Sequence, residues 1–274
     1  MITKKEPSLS VIMGVYNGQP FLSKAIESIL NQTFTDFEFI ICDDCSTDDS
    51  AKILREFAAK DSRIRLLQNK QNKGLAATLN NCLNIARGTF IARMDCDDIS
   101  LPERFAKQKE WLEKHEKVWA VGTSVEFIDD YGQVYGHTSN LVERFYELKD
   151  TVFGCVLVHP SVMMRADILR SVGGYSVNVL TTRAEDYDLW CKLCEKGGQL
   201  ANMSEILLQY REDTSNITKR KYKYRVQEAK LKAYWIKRAG LPKICAFYAV
   251  RPLLIGLLPL KFYKRLHRER LTGR

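Results

Sequence analysis

The hydrophobic pattern in the first third of the chain alternates between short apolar runs and segments with helical spacing. Continuous apolar runs rich in β-branched residues predict strands over residues 9–15, 37–44, 63–69 and 89–95. Between them, apolar positions recur at helical spacing over residues 20–32 and 74–87, and Ser46 or Thr47 can cap a third helix. Strands that alternate with helices of this length indicate βαβ units and a largely parallel sheet covered on both faces.

The pattern becomes more mixed after residue 100. Ser100 stands where it can cap a helix that carries Pro102 in its first turn. Strands are predicted over residues 118–128 and 156–165, a loop over 173–176 and a helix over 185–197. No internal repeat or low-complexity linker divides the chain. We therefore predict a catalytic domain over residues 1–215 and a C-terminal segment over residues 216–274.

The net charge of +9 is distributed unevenly along the chain. Residues 216–274 carry 17 Lys and Arg against two acids, whereas residues 1–215 carry 25 Lys and Arg against 31 acids. An enzyme that acts on nucleic acid usually spreads its basic residues over the working cleft. The separation of charge therefore favours a specialised basic tail and argues against nucleic acid as the partner.

The N-terminus and the cysteines both favour the cytosol. The first 18 residues run straight into a strand pattern without the charged and apolar regions of a signal peptide. Eight cysteines at irregular spacing fit reduced thiols better than a disulfide framework. The two C-x-x-C pairs, Cys42/Cys45 and Cys191/Cys194, would have to converge to bind zinc, and the separate contexts of the two pairs disfavour such a site.

The C-terminal segment contains an apolar stretch over residues 244–260. Arg251 and Pro252 interrupt it near its centre, and it is shorter than the roughly 20 apolar residues that a membrane-crossing helix needs. Basic residues flank it on both sides, which favours a segment that lies on an anionic membrane at the inner face of the plasma membrane. A buried pair of C-terminal helices, a homodimer face and, less well supported, a basic RNA-binding tail are the alternatives.

Polar side chains follow three of the predicted strands at the points where those strands end. They are Tyr16 and Asn17 after the first strand, Asp43 and Asp44 after the second, and Asp95, Asp97 and Asp98 after the fourth. Ligands bind beyond the carboxyl ends of strands in an open parallel sheet. Carboxylates this close repel one another, and a divalent cation with its diphosphate would offset that repulsion. Hard oxygen ligands suit Mg²⁺ or Mn²⁺, although a solvated turn or a helix cap could carry each cluster taken alone.

Taken together and in this order, the motifs resemble a known family. They are "SVIMGVYNGQPFLSKAIESILNQTFTDFEFIICDDCSTDDS", "NKGLAATLNNCLNIARGTFIARMDCDDISLPERF" and "AEDYDLW". The sequence resembles the nucleotide-sugar domain of inverting family 2 glycosyltransferases, and the resemblance covers roughly residues 8–212. It implies the GT-A fold, with a mixed, mostly parallel sheet flanked by helices. One departure is Cys45, where the family usually has Gly in "DDGS", and a turn with positive φ would be strained there.

The resemblance implies roles for the residues at the strand ends. Val15, Tyr16 and Asn17 would lie at the nucleotide, with the Tyr16 ring available to stack on a uracil-type base. Asp44 would accept a hydrogen bond from the base N3–H, and Asp95 would lie by the ribose or sugar. Asp97 would hold the Mn²⁺ or Mg²⁺ that bridges the diphosphate. Asp98 is expected to cap or orient the loop.

A second group of acids, Glu185 and Asp186, begins the helix in "AEDYDLW". Acids in a first turn also complement the helix dipole, so this position alone has a structural explanation. The resemblance implies that Asp186 is the catalytic base and that Glu185 orients the acceptor or the helix. It also implies that His159 lines the cleft between donor and acceptor, although a lone His at a strand end is more often structural. The loop at Gly173 and Gly174 resembles the acceptor-side loop.

The function that we expect from the sequence is metal-assisted transfer of a hexose from a nucleoside-diphosphate sugar, with UDP favoured, to a hydroxyl group. The acceptor is expected to be a lipid-linked glycan or a polysaccharide, and a homodimer is possible. Two alternatives are a sugar nucleotidyltransferase and a non-catalytic nucleotide-sugar-binding or membrane-scaffold protein. The first would normally carry a Gly-rich basic loop after the first strand, which "VYNGQPFL" lacks.

Overall fold

The computed structural model describes residues 6–138, 142–212 and 221–257. The strands in these ranges are β1 (Leu9–Val15), β2 (Phe37–Asp43), β3 (Ile64–Gln68), β4 (Phe90–Met94), β5 (Ile99–Ser100), β6 (Val118–Ile128), β7 (Val134–His137), β8 (Arg144–Tyr146), β9 (Met163–Arg165) and β10 (Gln199–Arg211). The helices are α1 (Gln19–Leu30), α2 (Ser50–Lys60), α3 (Leu75–Ile85), α4 (Arg104–Lys114), α5 (Leu148–Thr151), α6 (Ala166–Ser171), α7 (Glu185–Glu195), α8 (Tyr222–Arg238) and α9 (Phe247–Leu257). Short 3-10 turns occupy His159–Ser161 and Lys243–Ala246.

All ten strands belong to one mixed sheet, whose main order is β3-β2-β1-β4-β9-β6-β10-β5. The half formed by β3, β2, β1 and β4 is parallel throughout, and β6 and β10 form a second parallel pair. The short strand β9 joins the two halves with antiparallel pairing to β4 and β6. The prediction of a mixed, mostly parallel α/β sheet flanked by helices is confirmed.

The central strands are continuous apolar runs because both of their faces are covered. On β1, Val11 and Met13 point into a core shared with α1, α2 and α4, whereas Ile12 points into a core shared with α3, α6 and α7. Successive side chains on a strand point to opposite faces, so a strand covered on both faces is apolar at most positions, and its few buried polar residues, such as Glu38 and Arg93, need partners.

The helix predicted to begin at Ser100 starts later, at Arg104. Ser100 lies in β5, which pairs with β10, and its backbone N–H donates to Ser28 Oγ at 3.1 Å. The side chain of Gln32 donates to the carbonyl of Leu101 at 2.7 Å and accepts from the backbone N–H of Phe105 at 3.2 Å. These long-range contacts override the local capping signal.

The strand predicted over residues 156–165 is reduced to its last three residues. Before it, residues 159–161 form a 3-10 turn that includes Pro160, which has no N–H to donate to a ladder. The hydroxyl of Ser161 accepts from the backbone N–H of Thr123 at 3.1 Å. The Ser161 hydroxyl thus takes the place of a backbone acceptor in the sheet at this point.

The C-terminal helices pack on the rest of the fold. Leu231, Trp235 and Ile236 of α8 share a buried cluster with Tyr187 and Cys191 of α7. The predicted boundary at residue 216 and residues 258–274, which include the end of the predicted apolar stretch, lie outside the described residues. In the ranges that the structure covers, no helix combines the length and the apolarity needed to cross a bilayer.

Candidate active site

The three strand ends singled out by the sequence meet at one edge of the sheet. β1 lies between β2 and β4 and is parallel to both, with Val15 opposite Asp43 and Met13 opposite Met94. The segments that follow these strands therefore leave the sheet side by side. This is the edge where open parallel sheets bind ligands.

Asp44 is held rigidly at this edge and is almost fully buried. Its Oδ1 accepts from Asn69 Nδ2 at 2.7 Å and from the backbone N–H of Lys73 at 2.8 Å. Its Oδ2 accepts from the backbone N–H of Gly74 at 2.8 Å. Since each carboxylate oxygen has two lone pairs, Oδ2 can accept one further hydrogen bond.

Asn17 fixes the loop that follows β2. It adopts a left-handed conformation with φ of 53°, and its backbone N–H donates to Ser46 Oγ at 3.0 Å. Its Oδ1 accepts from the backbone N–H of Thr47 at 2.8 Å. Beside it, Tyr16 is half exposed, whereas the side chain of Val15 is buried in the core. Tyr16 is therefore the side chain of this group that is free to contact a ligand.

Cys45 has a positive φ of 64°. The turn after Asp44 thus uses the left-handed backbone that Gly adopts most readily, and it does so with a side chain that has a Cβ. Such a conformation costs of order 1 kcal/mol or more for a residue other than Gly.

Ligand oxygens of Asp95, Asp97 and Asp98 all lie within 4.8 Å of one another. Part of their repulsion is offset by Arg93, a residue of β4 that is only 2% exposed and forms a two-pronged ion pair with Asp95. Sequence reasoning missed this partner, which lies in the same short segment as the acids. The signal was an Arg in the middle of a buried apolar strand, because such a charge needs a counter-ion.

Asp97 and Asp98 remain short of positive charge. Burial and the charge of Asp95 raise the pKa of Asp97 to about 7. Burial and the charge of Asp97 raise the pKa of Asp98 well above its ordinary value. Asp98 Oδ1 accepts from the backbone N–H of Arg211 at 2.7 Å, which ties the loop to β10, while its buried Oδ2 has no protein partner among the described residues. Three clustered carboxylates with an orphaned oxygen fit the hard-ligand preference of Mg²⁺ or Mn²⁺.

Glu185 and Asp186 begin α7, two residues after Arg183, which has a φ of 64°. Asp186 Oδ1 accepts from the backbone N–H of Tyr187 at 2.8 Å, and the Cys155 thiol donates to Oδ2 at 3.1 Å. Cys155 is exposed on one side, but crowding by protein atoms around its thiol and the charge of Asp186 raise its pKa well above the ordinary value, so the group is a protonated thiol at neutral pH. The contact with Cys155 was not predicted, because no local pattern links residues 155 and 186.

The two groups of acids lie within electrostatic reach of each other. Burial and the charge of Asp186 raise the pKa of Glu185 to about 7. Smaller effects on the same group come from Arg93, which lowers its pKa, and from Asp95, which raises it. The cluster after β4 and the start of α7 therefore lie near each other in the fold.

His159 is held by protein groups beneath this site. Its Nε2 lies 2.9 Å from the hydroxyl of Tyr175, and its ring meets that of Trp190 edge-on with centroids 6.0 Å apart. Burial, with a smaller effect from Arg93, lowers the pKa of His159 well below its ordinary value. The imidazole is neutral. These contacts fit a structural role better than a role that requires a charged imidazole.

The loop at Gly173 and Gly174 is anchored from two sides. Both residues have positive φ, and a Cβ on Gly174 would lie 2.6 Å from Asn80 Oδ1. The Asn80 side chain forms two hydrogen bonds with the backbone of Tyr175, at 2.8 and 2.9 Å. Lys192 of α7 donates to the carbonyl of Gly174 at 2.5 Å. The position of this loop is thereby coupled to the helix that carries Asp186.

Comparison with known proteins identifies the family. The model of the family described as "Glycosyl transferase family 2" matches residues 10–173. EpsE of Bacillus subtilis (strain 168), which is named as a glycosyltransferase, is 40% identical over 268 residues that cover 97% of this chain and 95% of that protein. The Escherichia coli protein named UDP-Glc:alpha-D-GlcNAc-diphosphoundecaprenol beta-1,3-glucosyltransferase WfaP is 30% identical over 242 residues, which cover 88% of this chain and 91% of that protein.

Solved structures share the fold. S. aureus TarS in complex with UDP matches with a TM-score of 0.68 and 18% identity, covering 90% of this chain and 69% of that chain. The mannosyltransferase PcManGT from Pyrobaculum calidifontis, in complex with GDP-Man and Mn²⁺, matches with a TM-score of 0.63 and 18% identity, covering 97% of this chain and 80% of that chain. The chain therefore belongs to glycosyltransferase family 2, has the GT-A fold and is a glycosyltransferase.

Proposed function

We propose that this enzyme moves a hexose from a UDP-linked donor to an acceptor hydroxyl with metal assistance and inversion of the anomeric centre. The observation that carries the proposal is the meeting of two carboxylate groups in one site, Asp95, Asp97 and Asp98 on one side and Glu185 and Asp186 on the other. The first group suits the diphosphate and its cation, and the second suits proton removal from the acceptor. The UDP complex of TarS and the GDP-Man and Mn²⁺ complex of PcManGT support a nucleotide-sugar donor.

The nucleotide would lie over the ends of β1 and β2. The half-exposed ring of Tyr16 is available to stack on the base, and Val15 would contribute through its backbone because its side chain is buried. The remaining lone pair of Asp44 Oδ2 would accept from the base N3–H. Asn17 would act indirectly, because it holds the loop that follows Asp44.

Asp97 would hold Mn²⁺ or Mg²⁺, with Asp95 directed to the ribose or sugar. The bound cation would neutralise the charge that develops on the leaving diphosphate. Arg93 fixes the orientation of Asp95, and Asp98 ties the loop to β10. Because the pKa of Asp97 is about 7, cation binding at neutral pH competes with a proton on this group.

Asp186 would remove the proton from the acceptor hydroxyl as that oxygen attacks the anomeric carbon. A positioned base contributes about 10²–10⁴ in rate. The backbone N–H of Tyr187 and the thiol of Cys155 fix its two oxygens, and Glu185 would orient the acceptor beside it. Attack from the face opposite the leaving group inverts the anomeric centre.

The acceptor that we propose is a lipid-linked or polysaccharide glycan of the cell surface, reached by an enzyme peripheral to the inner face of the plasma membrane. The name of WfaP specifies a diphosphoundecaprenol acceptor, and the relative AmsE of Erwinia amylovora is named for amylovoran biosynthesis. Membership of family 2 disfavours both alternatives, the sugar nucleotidyltransferase and the non-catalytic scaffold.

A screen of nucleotide sugars tests this proposal. We expect UDP sugars with Mn²⁺ to raise the melting temperature and to be hydrolysed slowly without an acceptor, since a ligand that binds only the folded state stabilises it. GDP and dTDP sugars serve as matched controls for the base. A melting temperature unmoved by every nucleotide sugar in the presence of Mn²⁺ would refute the proposed donor site.

A further inference from the structure

An apolar stripe runs along one side of α9 and the turn before it. Its members are Ile244, Phe247, Leu254 and Leu257, which are 81%, 70%, 50% and 72% exposed. Their spacing puts them on one face of the helix. The opposite face packs inward through Ala249 and Pro252. Large apolar side chains exposed together on one face of a helix are typical of an interaction site.

One end of α9 is attached to the segment that holds the proposed base. The rings of Tyr248 and Phe153 are in contact, with centroids 4.6 Å apart. Phe153 is two residues before Cys155, whose thiol donates to Asp186 at 3.1 Å.

The other end of α9 packs on α8, which contacts the segment before α7. A Cβ on Gly256 would lie 3.0 Å from the ring of Tyr222, so α9 packs closely on the first turn of α8. In that turn, Tyr224 carries the guanidinium group of Arg183 at 5.4 Å from its ring centroid. Arg183 is two residues before Glu185. Both ends of α9 are therefore connected to the segments that lead to the start of α7.

The charges around the stripe fit an anionic surface. Residues 221–257 carry nine Lys and Arg and one acid. Lys243 and Arg251 are exposed on the stripe segment itself, and Lys237 is exposed at the end of α8. Amphipathic helices with apolar and cationic side chains bind anionic bilayers by burying the first and pairing the second with phosphates. A second copy of this chain would instead bring like charges together.

We propose that the stripe of Ile244, Phe247, Leu254 and Leu257 docks on an anionic lipid bilayer and turns the Asp186 side of the active site toward the headgroups. The acceptor hydroxyl then enters from the bilayer side. This last step rests on the proposed transfer to a lipid-linked acceptor. The docking itself does not depend on it.

Vesicle binding by the full chain tests the docking. We expect the double variant Phe247→Gln/Leu254→Gln to bind vesicles of phosphatidylglycerol and phosphatidylethanolamine at least about tenfold more weakly than wild type. The control Tyr131→Gln/Val134→Gln removes two equally exposed apolar side chains from the turn and strand after β6 and should bind as wild type does. Vesicles of phosphatidylcholine alone should bind the wild type weakly. Equal binding by both double variants would overturn the proposal.

Hydrogen exchange on the same vesicles tests the orientation. Protection is expected over α9 and around residues 153–155, and none is expected at Tyr131.

Light scattering tests whether the stripe binds a second copy of the chain. If the wild type is a dimer, the stripe variant is a monomer and both bind vesicles equally, the stripe is a dimer interface and the bilayer proposal is wrong. Hydrolysis of UDP sugars with Mn²⁺ and without lipid should be equal in wild type and stripe variant. Failure of that hydrolysis in wild type would overturn the donor proposal and leave docking standing.

Discussion

Arg93 explains part of how three acids can follow β4. Its buried guanidinium group neutralises Asp95, whereas burial and mutual repulsion raise the pKa values of Asp97 and Asp98, so these two groups hold protons more readily than ordinary carboxylates do. The sequence predicted the acids and their place at the strand end. It did not predict which acid would be paired, because that depends on the side-chain geometry at the end of β4.

Cys45 is strained by its left-handed backbone, with φ of 64°. We expect Cys45→Gly to raise the free energy of unfolding by up to about 1 kcal/mol, since Gly adopts this conformation freely but loses more chain entropy on folding. Urea denaturation measures the change. Cys45→Ala is the control, because it removes the sulfur and keeps the strained Cβ. Equal stability of the Gly and Ala variants would show that φ is not the cause.

Cys155 positions the proposed base through its thiol. We expect Cys155→Ala to lower kcat about three- to tenfold, the range that corresponds to one lost hydrogen bond, with little change in KM for the donor. Cys155→Ser keeps a donor and should recover most of the loss. Steady-state kinetics with both variants decide the matter, and a wild-type kcat in Cys155→Ala would contradict the role.

The raised pKa of Asp97, about 7, predicts a pH dependence of stability. Between its ordinary value near 4 and about 7, the folded chain keeps a proton that the unfolded chain releases, so the free energy of unfolding falls as pH rises through this window. Mn²⁺ should offset the fall more at pH 7 than at pH 5, because a smaller fraction of Asp97 carries a proton that the cation must displace at pH 7. Urea denaturation at pH 5 and pH 7, with and without Mn²⁺, measures both effects. Asp97→Asn should reduce the dependence, to which Glu185 and Asp98 also contribute through their raised pKa values, and an unchanged slope would contradict the assignment.

At the scale of elements, the long apolar strands were predictable and the short ones were not. β1, β2 and β4 are continuous apolar runs because they are covered on both faces. β5 has two residues and β9 has three, too few for a period to be recognised, and both depend on partners distant in sequence. The attachment of α8 to α7 likewise depends on contacts that no local pattern contains.

Trp235 is a buried contact between α8 and α7. It is 2% exposed, and its Nε1 donates to Asp188 Oδ1 at 2.9 Å. We expect Trp235→Ala to lower the free energy of unfolding by about 3–5 kcal/mol, the usual cost of removing a buried Trp. Tyr234→Ala, which changes the half-exposed neighbour on the same helix, should cost far less. Similar losses in both variants would contradict the packing of α8 on the catalytic fold.

At the scale of the whole molecule, the sheet brings together two acidic segments that are some ninety residues apart in sequence. The cluster after β4 and the start of α7 act electrostatically on each other, so the two acidic segments lie near each other in the fold. The polar strand ends were predictable because parallel strands share one edge. Their meeting with α7 was implied by the resemblance to family 2 alone, since spacing in the sequence does not specify it.

Asp186→Asn separates donor binding from transfer. The amide keeps the size of the side chain and cannot take the acceptor proton. We expect the variant to bind Mn²⁺ and UDP as tightly as wild type and to lose transfer by about 10²-fold or more. Titration calorimetry and transfer kinetics on the same preparation provide both values. Transfer at the wild-type rate in Asp186→Asn would contradict the assignment of the base.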